Sequence, residues 1–243
     1  MDDWPLVFLR HPRTEVGPDP YVRAATEHGY TAICKPVLRF EFLSPPPLHT
    51  LLARPDDYAG LLITSPRAVK ALHRCLDSAS HLSPTTWLAK PTYVVGPRTA
   101  TVMHDMGGTP VGAGTGNAEA LSEKIKTDAP GKLLFLSGNR RRDTLPRALV
   151  QNQQPYDEVV VYRTHTRTHI DLPDPPACLA FFSPSGLEAV QASGYDLSRY
   201  QCAAIGPTTA QALHDQGLSV DAIADTPTPQ GMLQAVEQAA MEA

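Results

Sequence analysis

Short blocks of unbroken apolar residues alternate with stretches whose apolar residues recur every three or four positions, and the alternation continues along the whole chain. PLVFLR precedes DPYVRAATEHG, YAGLLITS precedes PRAVKALHRCL, and TYVVG precedes PRTATVMHDMGG. KLLFLSG precedes NRRRDTLPRALV, CLAFFS precedes PSGLEAVQAS, and CAAIG precedes PTTAQALHDQG. A short run that is apolar at every position reads as a strand buried on both faces, and the helical period after it reads as the crossover to the next strand. The pattern predicts an α/β fold built on parallel sheets flanked by helices.

Two stretches depart from this rhythm. LRFEFL (38–43) and EVVVYRTHT (158–166) alternate with period 2, and each borders a proline-rich piece, SPPPLH and DLPDPPA respectively. Such segments read as exposed strands carrying the chain between two domains. Residues 49–157 are then one α/β domain, and residues 1–37 joined to 170–243 form a second, discontinuous one. Residues 38–48 and 158–169 form a two-stranded antiparallel connector between them.

A repeat supports the division. Aligned on Gly-Pro, YVVGPRTATVMHDMG and AAIGPTTAQALHDQG share seven identities in fifteen positions, and each follows a Ser-Pro corner, TSPRAV in one case and FSPSGL in the other. Each proposed domain therefore owns one copy of both motifs, which predicts two similar domains facing a common cleft. Ser65 and Ser183 suit the cap position before Pro66 and Pro184, where proline's missing N–H has no partner to lose. Gly96 and Gly206 turn the chain out of the sheet, Pro97 and Pro207 open the next helix, and Thr99 and Thr209 place hydroxyls in its first turn. Four helix N-termini thus stand at the carboxyl ends of parallel strands, the edge where open α/β sheets bind ligands. Such ends offer unpaired amides and a positive dipole, which suit carboxylates and phosphates. As caps alone they would stabilise their helices by about 1 kcal/mol each; four at equivalent points favour an anionic ligand.

The loop NRRRDTLPR, after the strand end Ser137 and Gly138, supplies further candidates. Arginines at a helix start oppose the macrodipole unless an anion offsets them. Asn139 and Arg140 join the expected binding set, with Arg141, Arg142 and Arg147 as candidates that a solvated helix face would also explain. Arg67 and Lys70 are weaker candidates of the same kind. His104-Asp105 and His214-Asp215 sit at helix ends before Gly107 and Gly217, where histidine complements the negative dipole end, so they are not read as a hydrolytic pair. GAGTGNAEAL lacks a preceding strand and a dinucleotide-binding spacing, and reads as a loop entering a helix at Asn117 or Ala118.

Composition narrows the classes. The chain has 243 residues, enough for one large core or two modest ones, and a formal net charge of -4, which disfavours general nucleic-acid binding. Four cysteines without a C-x-x-C pair suggest a reducing, cytoplasmic compartment and neither a zinc site nor a disulfide framework. The start MDDWPLVFLRHP carries acidic residues where a secretory signal is basic, and no apolar run reaches membrane length.

Together, DPYVRAATEHGYTAICKPVLRFEFL, DDYAGLLITSPRAV, YVVGPRTA, GNAEAL, VVVYRT, FFSPSGL, AAIGPTTAQAL and DTPTPQGML resemble the uroporphyrinogen-III synthase family, its eukaryotic-type sequences in particular, from about residue 19 onward. The resemblance implies two α/β domains, a monomeric cytoplasmic enzyme, and no cofactor or metal. It implies a substrate, hydroxymethylbilane, that is closed to uroporphyrinogen III with loss of water and inversion of ring D. It places the family's tyrosine on Tyr162, as proton donor, and its sensitive threonine on Thr209. By the same carry-over Thr64, Ser65, Ser183, Pro184, Ser185 and Gly206 line the cleft, and the expected substrate-binding set also takes Pro66, Arg67, Gly96, Thr99, Ser137, Gly138, Asn139, Arg140, Thr208 and Thr209. Two other readings fit the same motifs: a non-catalytic polyanion-binding or sensing protein, and a sugar- or nucleotide-phosphate transferase.

Overall fold

A computed structural model describes residues 4–13, 17–80, 82–128 and 131–242. The acidic start at Asp2 and Asp3 lies outside them. The first elements are β1 (Leu6–Leu9), α1 (Pro20–Glu27), β2 (Ala32–Cys34), β3 (Leu38–Phe42), α2 (Pro46–Leu52), β4 (Gly60–Ile63) and α3 (Pro66–Ser78). They are followed by α4 (Pro84–Ala89), β5 (Pro91–Val94), α5 (Pro97–Asp105), β6 (Thr109–Val111), α6 (Ala118–Asp128), β7 (Leu133–Gly138) and α7 (Thr144–Gln151). The last are β8 (Tyr156–Thr166), β9 (Cys178–Phe181), α8 (Pro184–Ala192), β10 (Gln201–Ala204), α9 (Pro207–His214), β11 (Ala222–Ile223) and α10 (Pro229–Glu242).

The chain forms two units, Met1–Arg39 with His165–Ala243, and Phe40–Thr164. The first holds a parallel sheet in the order β11-β10-β9-β1-β2. Its central strands LVFL and CLAF are buried at every position, as all-apolar runs require when both sheet faces are covered. On one face Leu187, Val190, Ala210 and Leu213 of α8 and α9 pack against Val7, Leu9, Leu179 and Phe181. On the other, Tyr21 and Ala25 of α1 and Met232 and Leu233 of α10 pack against Leu6, Phe8 and Ala180.

The second unit repeats the plan in the order β6-β5-β4-β7-β8, with β3 added outside β8. Leu61, Ile63, Leu134 and Leu136 face α2 to α5, whereas Leu62, Tyr93, Leu133 and Phe135 face α6 and α7. The α3 sequence shows why it lies where it does: Ala68, Val69, Ala71, Leu72, Cys75 and Leu76 recur at helical spacing on one buried stripe.

The expected connector is partly different. Leu43 N–H donates to Val161 and Arg167 N–H donates to Val37, so β3 and β8 run antiparallel. They are not a separate ladder, however, because β8 also pairs in parallel with β7 and its Val159 and Val161 are buried in the second unit's core. The proline-rich SPPPLH segment becomes the start of α2, its prolines occupying the first turn where no intrahelical N–H is needed. No helix among the described residues is long and apolar enough to cross a membrane.

At the amino end of the second sheet, Asp157 accepts from the Tyr58 hydroxyl and pairs with Lys132 Nζ at 2.6 Å. Hydrogen bonds from Lys132 and Tyr58 hold its carboxyl below the usual carboxylate range, and burial with the Asp157 contact pushes the Tyr58 phenol up. A carboxyl depressed in the fold stabilises at neutral pH, and that contribution is lost as pH falls through its folded value. Asp157→Asn is therefore expected to lower the urea midpoint at pH 7 and to converge with the parent below about pH 4. Midpoints that stay equally far apart across this range would remove the assigned role.

Candidate functional site

In the second unit the chain leaves β4 for α3 and β5 in one direction and leaves β7 for α7 and β8 in the other. The carboxyl ends of β4 and β7 therefore flank a topological switch point, the crevice where this architecture takes ligands. A cavity of about 560 Å³ opens there. Of the residues expected from the sequence, Thr64, Ser65, Gly138, Arg140, Arg141, Arg142 and Tyr162 line it.

Each is placed by local chemistry. Ser65 is extended, and its hydroxyl accepts from Arg67 N–H at 3.2 Å, so Pro66 can open α3 directly behind it. Tyr162 is half-buried on β8, and a register shift between Ser137 and Gly138 brings it opposite Gly138. A Cβ at Gly138 would collide with the Tyr162 ring and hydroxyl, so glycine is what lets the phenol lie across the end of β7. Asn139 extends the pairing: its Oδ1 accepts from Thr164 N–H at 2.7 Å, and its own N–H donates to Tyr162 O at 3.2 Å. Asn139 thus fastens the strand that carries the tyrosine.

The arginines divide. Arg141 donates to both oxygens of Glu158 and also to Asp143, and these carboxylates raise its already high pKa. Its charge is neutralised internally. Arg142 is exposed at the cavity, whereas Arg147 is exposed on α7 and is not among the lining residues. Arg67 stacks its guanidinium 3.6 Å from the Phe40 ring centroid. Burial draws its pKa down, while the Tyr162 oxygen pulls the other way. Pro66, Arg67, Gly96, Thr99, Ser137 and Asn139 are outside the cavity lining. Gly96 has φ of 83°, which fixes glycine at the turn into α5, and Thr99 is buried behind it.

In the first unit the corners stand at the carboxyl ends of adjacent strands β9 and β10. Ser183 occupies the cap position of α8, but its hydroxyl bonds that of Ser185 at 2.8 Å instead of the helix. Beyond it Pro184 opens the helix. At the second corner Thr208 is exposed and Thr209 is buried. Gly206 has φ of 166°, extended backbone open to any residue, so the turn out of β10 does not itself require glycine. The repeat nonetheless extends to accessibility, since residues 91–100 and 201–210 share one secondary-structure string and differ in burial only at the last position.

Sequence reasoning missed the third side of the cavity. Asn117, Ala118 and Glu119 line it with Val95, Phe135, Thr144 and Leu145. Asn117 Oδ1 accepts from Ala120 N–H at 2.8 Å, so GNAEAL is a capped helix start on the ligand edge. The short β6 before it contains a proline and had no apolar run to betray it.

A family model described as "Uroporphyrinogen-III synthase HemD" matches residues 19–234. The chain belongs to the uroporphyrinogen-III synthase family. A uroporphyrinogen-III synthase of Saccharomyces cerevisiae is 29% identical over 205 residues, 73% of this chain and 74% of that protein. One of Schizosaccharomyces pombe is 28% identical over 234 residues, 90% and 91% of the two chains. Among solved structures, a uroporphyrinogen-III synthetase of Helicobacter pylori has a TM-score of 0.65 at 20% identity, covering 97% of this chain and 99% of the other. A mutant uroporphyrinogen-III synthase of Thermus thermophilus has a TM-score of 0.55 at 19% identity, covering 99% and 100%. At these identities the structural likeness speaks for a shared synthase fold, while the family match carries the assignment.

Proposed function

We propose that this uroporphyrinogen-III synthase, a cyclising lyase of haem biosynthesis, works through the cavity at the β4–β7 switch point, with Tyr162 as proton donor. The observation that carries the reading is the placement of the Tyr162 phenol across Gly138 at the rim of a cavity that also holds Ser65, Arg140 and Arg142. Hydroxymethylbilane bears acetate and propionate carboxylates, which the arginines and helix-end amides suit. The Tyr162 O–H gives its proton to the departing hydroxyl, which leaves as water, and the pyrrole nitrogen's electrons close an azafulvene. The substituted α-carbon of ring D then attacks the azafulvene's exocyclic methylene carbon to form a spiro intermediate. The bond from that α-carbon to the ring-C methylene breaks, assisted by the ring-C nitrogen. The free α-carbon of ring D captures the released methylene, and loss of the proton from that carbon gives the inverted type III macrocycle.

No covalent bond to the enzyme is required, so the protein's main contribution is positioning. Within the first unit, the corners at Ser183–Ser185 and Gly206–Thr209 present helix-end amides of the same kind. On this reading the enzyme is a cytoplasmic monomer that needs no cofactor or metal; of these, only the reducing compartment has support from the four free cysteines. Its net charge of -4 does not suit nucleic acid.

The test is incubation with freshly prepared hydroxymethylbilane and separation of the oxidised product isomers. Type III in excess is expected; type I alone, the product of simple closure, would sink the reading. Tyr162→Phe should lower turnover about a hundredfold, the low end of general-acid effects, because water can substitute. Full turnover in that variant removes the donor role and leaves the positioning role standing.

A further inference from the structure

The two strand orders can be laid on one another at the Ser-Pro corners. Leu9 is in register with Phe181 and Leu136 with Ile63, and Phe181 and Ile63 each stand two residues before a Ser-Pro. β1 is thus the counterpart of β7, and the residue after Leu9, Arg10, is the counterpart of Ser137. Both end the strand beside their unit's switch point, because the chain leaves β1 and β9 in opposite directions as it leaves β7 and β4.

The same two residues share a second property. Three buried side-chain atoms among the described residues have no hydrogen-bond partner, and two of them are Arg10 Nη1 and Ser137 Oγ. Native folds seldom leave such groups unpaired, since each costs its desolvation without return. The two stand at the same point of a duplicated fold, but Ser137 is buried outside the cavity lining, which leaves Arg10 as the group a ligand can reach.

Arg10 is the stronger of the pair. Its side chain is 11% exposed, and its guanidinium carbon lies 4.7 Å from the Tyr21 ring centroid and 5.1 Å from that of Phe182. The two rings fix the plane of the fork. Among the described residues Arg10 forms an ion pair with Asp19, 3.5 Å from Nη1, but Asp19 already accepts from Arg13 N–H at 2.7 Å and Tyr21 N–H at 2.9 Å. None of the guanidinium's donors has a hydrogen-bonded partner among the described residues. An arginine is charged at every working pH, and its planar fork matches a carboxylate with two parallel bonds.

We propose that Arg10 binds a carboxylate of the linear tetrapyrrole at the first unit's switch point, as a substrate-positioning residue outside the Ser-Pro and Gly-Pro corners. This rests on the synthase reading. At the equivalent point the second unit carries the neutral, buried Ser137 hydroxyl, so the duplicated frame differs in charge there.

The experiment measures KM and kcat for hydroxymethylbilane, product isomers and Tm in Arg10→Gln, Arg10→Lys and Asp19→Asn. Arg10→Gln should raise KM roughly tenfold or more, the range of a lost charged hydrogen bond. Arg10→Lys should give a smaller rise, since it keeps the charge without the fork, and it decides the matter if the glutamine variant does not fold. Asp19→Asn keeps an acceptor for the α1 cap while removing the anion beside Arg10, so KM should hold or fall. Unchanged KM in the Arg10 variants overturns the proposal, as does an Asp19→Asn variant whose KM rises as far as that of Arg10→Gln, which would make Arg10 a structural partner of Asp19. Parent enzyme that forms no type III product would instead overturn the synthase reading itself.

Discussion

Gly138→Ala is expected to cut the rate of type III formation about a hundredfold in a protein that still folds. The added methyl would occupy space now filled by the Tyr162 ring and hydroxyl, so the phenol must leave the end of β7. A displacement near 1 Å at a reacting group is enough for a loss of that size. Folding survives because the ring is half-buried at the strand end and can turn outward, at a cost of about 1–3 kcal/mol for an overpacked site. kcat and Tm measured together separate the two effects. In a Tyr162→Ala background the methyl meets vacant space, so the two substitutions should combine to much less than the sum of their effects. Fully additive losses would mean that Gly138 matters for some reason other than the tyrosine.

How far the sequence foretold this site depends on which signal each part left. The β4 and β9 corners were legible because an apolar strand, a small polar residue and a proline state strand end, cap and first turn in consecutive positions. Tyr162 was reached through resemblance, and its geometry was not legible at all. What places it is the empty Cα of a residue twenty-four positions earlier across a bulged pairing, and no local pattern encodes such a contact. Asn139 illustrates the converse. Its residue type and position suggested an anion contact, yet its amide spans Thr164 and holds the tyrosine's strand.

The arginine run shows a similar limit. NRRR reads as one patch, but Glu158, from the neighbouring strand, claims Arg141 and leaves Arg142 exposed at the cavity. Which charge is neutralised is a tertiary fact. The α6 start at Ala118 was legible, but its place beside the cavity was not, because the strand that leads to it, β6, is three residues long with a proline in the middle, too short for a hydrophobic signal. The better clue was Asn117 itself, a strong cap residue directly before a helical pattern. Gly206 differs from its repeat partner in a way the shared Gly-Pro does not encode, since only Gly96 takes a left-handed φ.

Trp87→Ala is expected to destabilise the second unit by about 3–5 kcal/mol, the largest stability effect of a single substitution considered for this chain. Trp87 on α4 is fully buried and lies 5.9 Å, ring to ring, from Tyr58, inside the cluster that joins α2, α3 and the sheet. Its indole N–H also donates to Leu52 O at 2.8 Å. Leu52 ends α2, and its carbonyl is one of those a helix terminus leaves without an intrahelical donor. The tryptophan therefore fills volume and caps a neighbouring helix with one side chain. Trp87→Phe separates these contributions: it keeps most of the apolar volume and leaves the Leu52 carbonyl buried and unpaired, a loss of about 1–3 kcal/mol. Urea unfolding followed by far-UV circular dichroism should rank parent, Phe and Ala in that order of midpoint. A phenylalanine variant as stable as the parent would show that the Leu52 carbonyl finds another donor, and that packing alone accounts for the tryptophan.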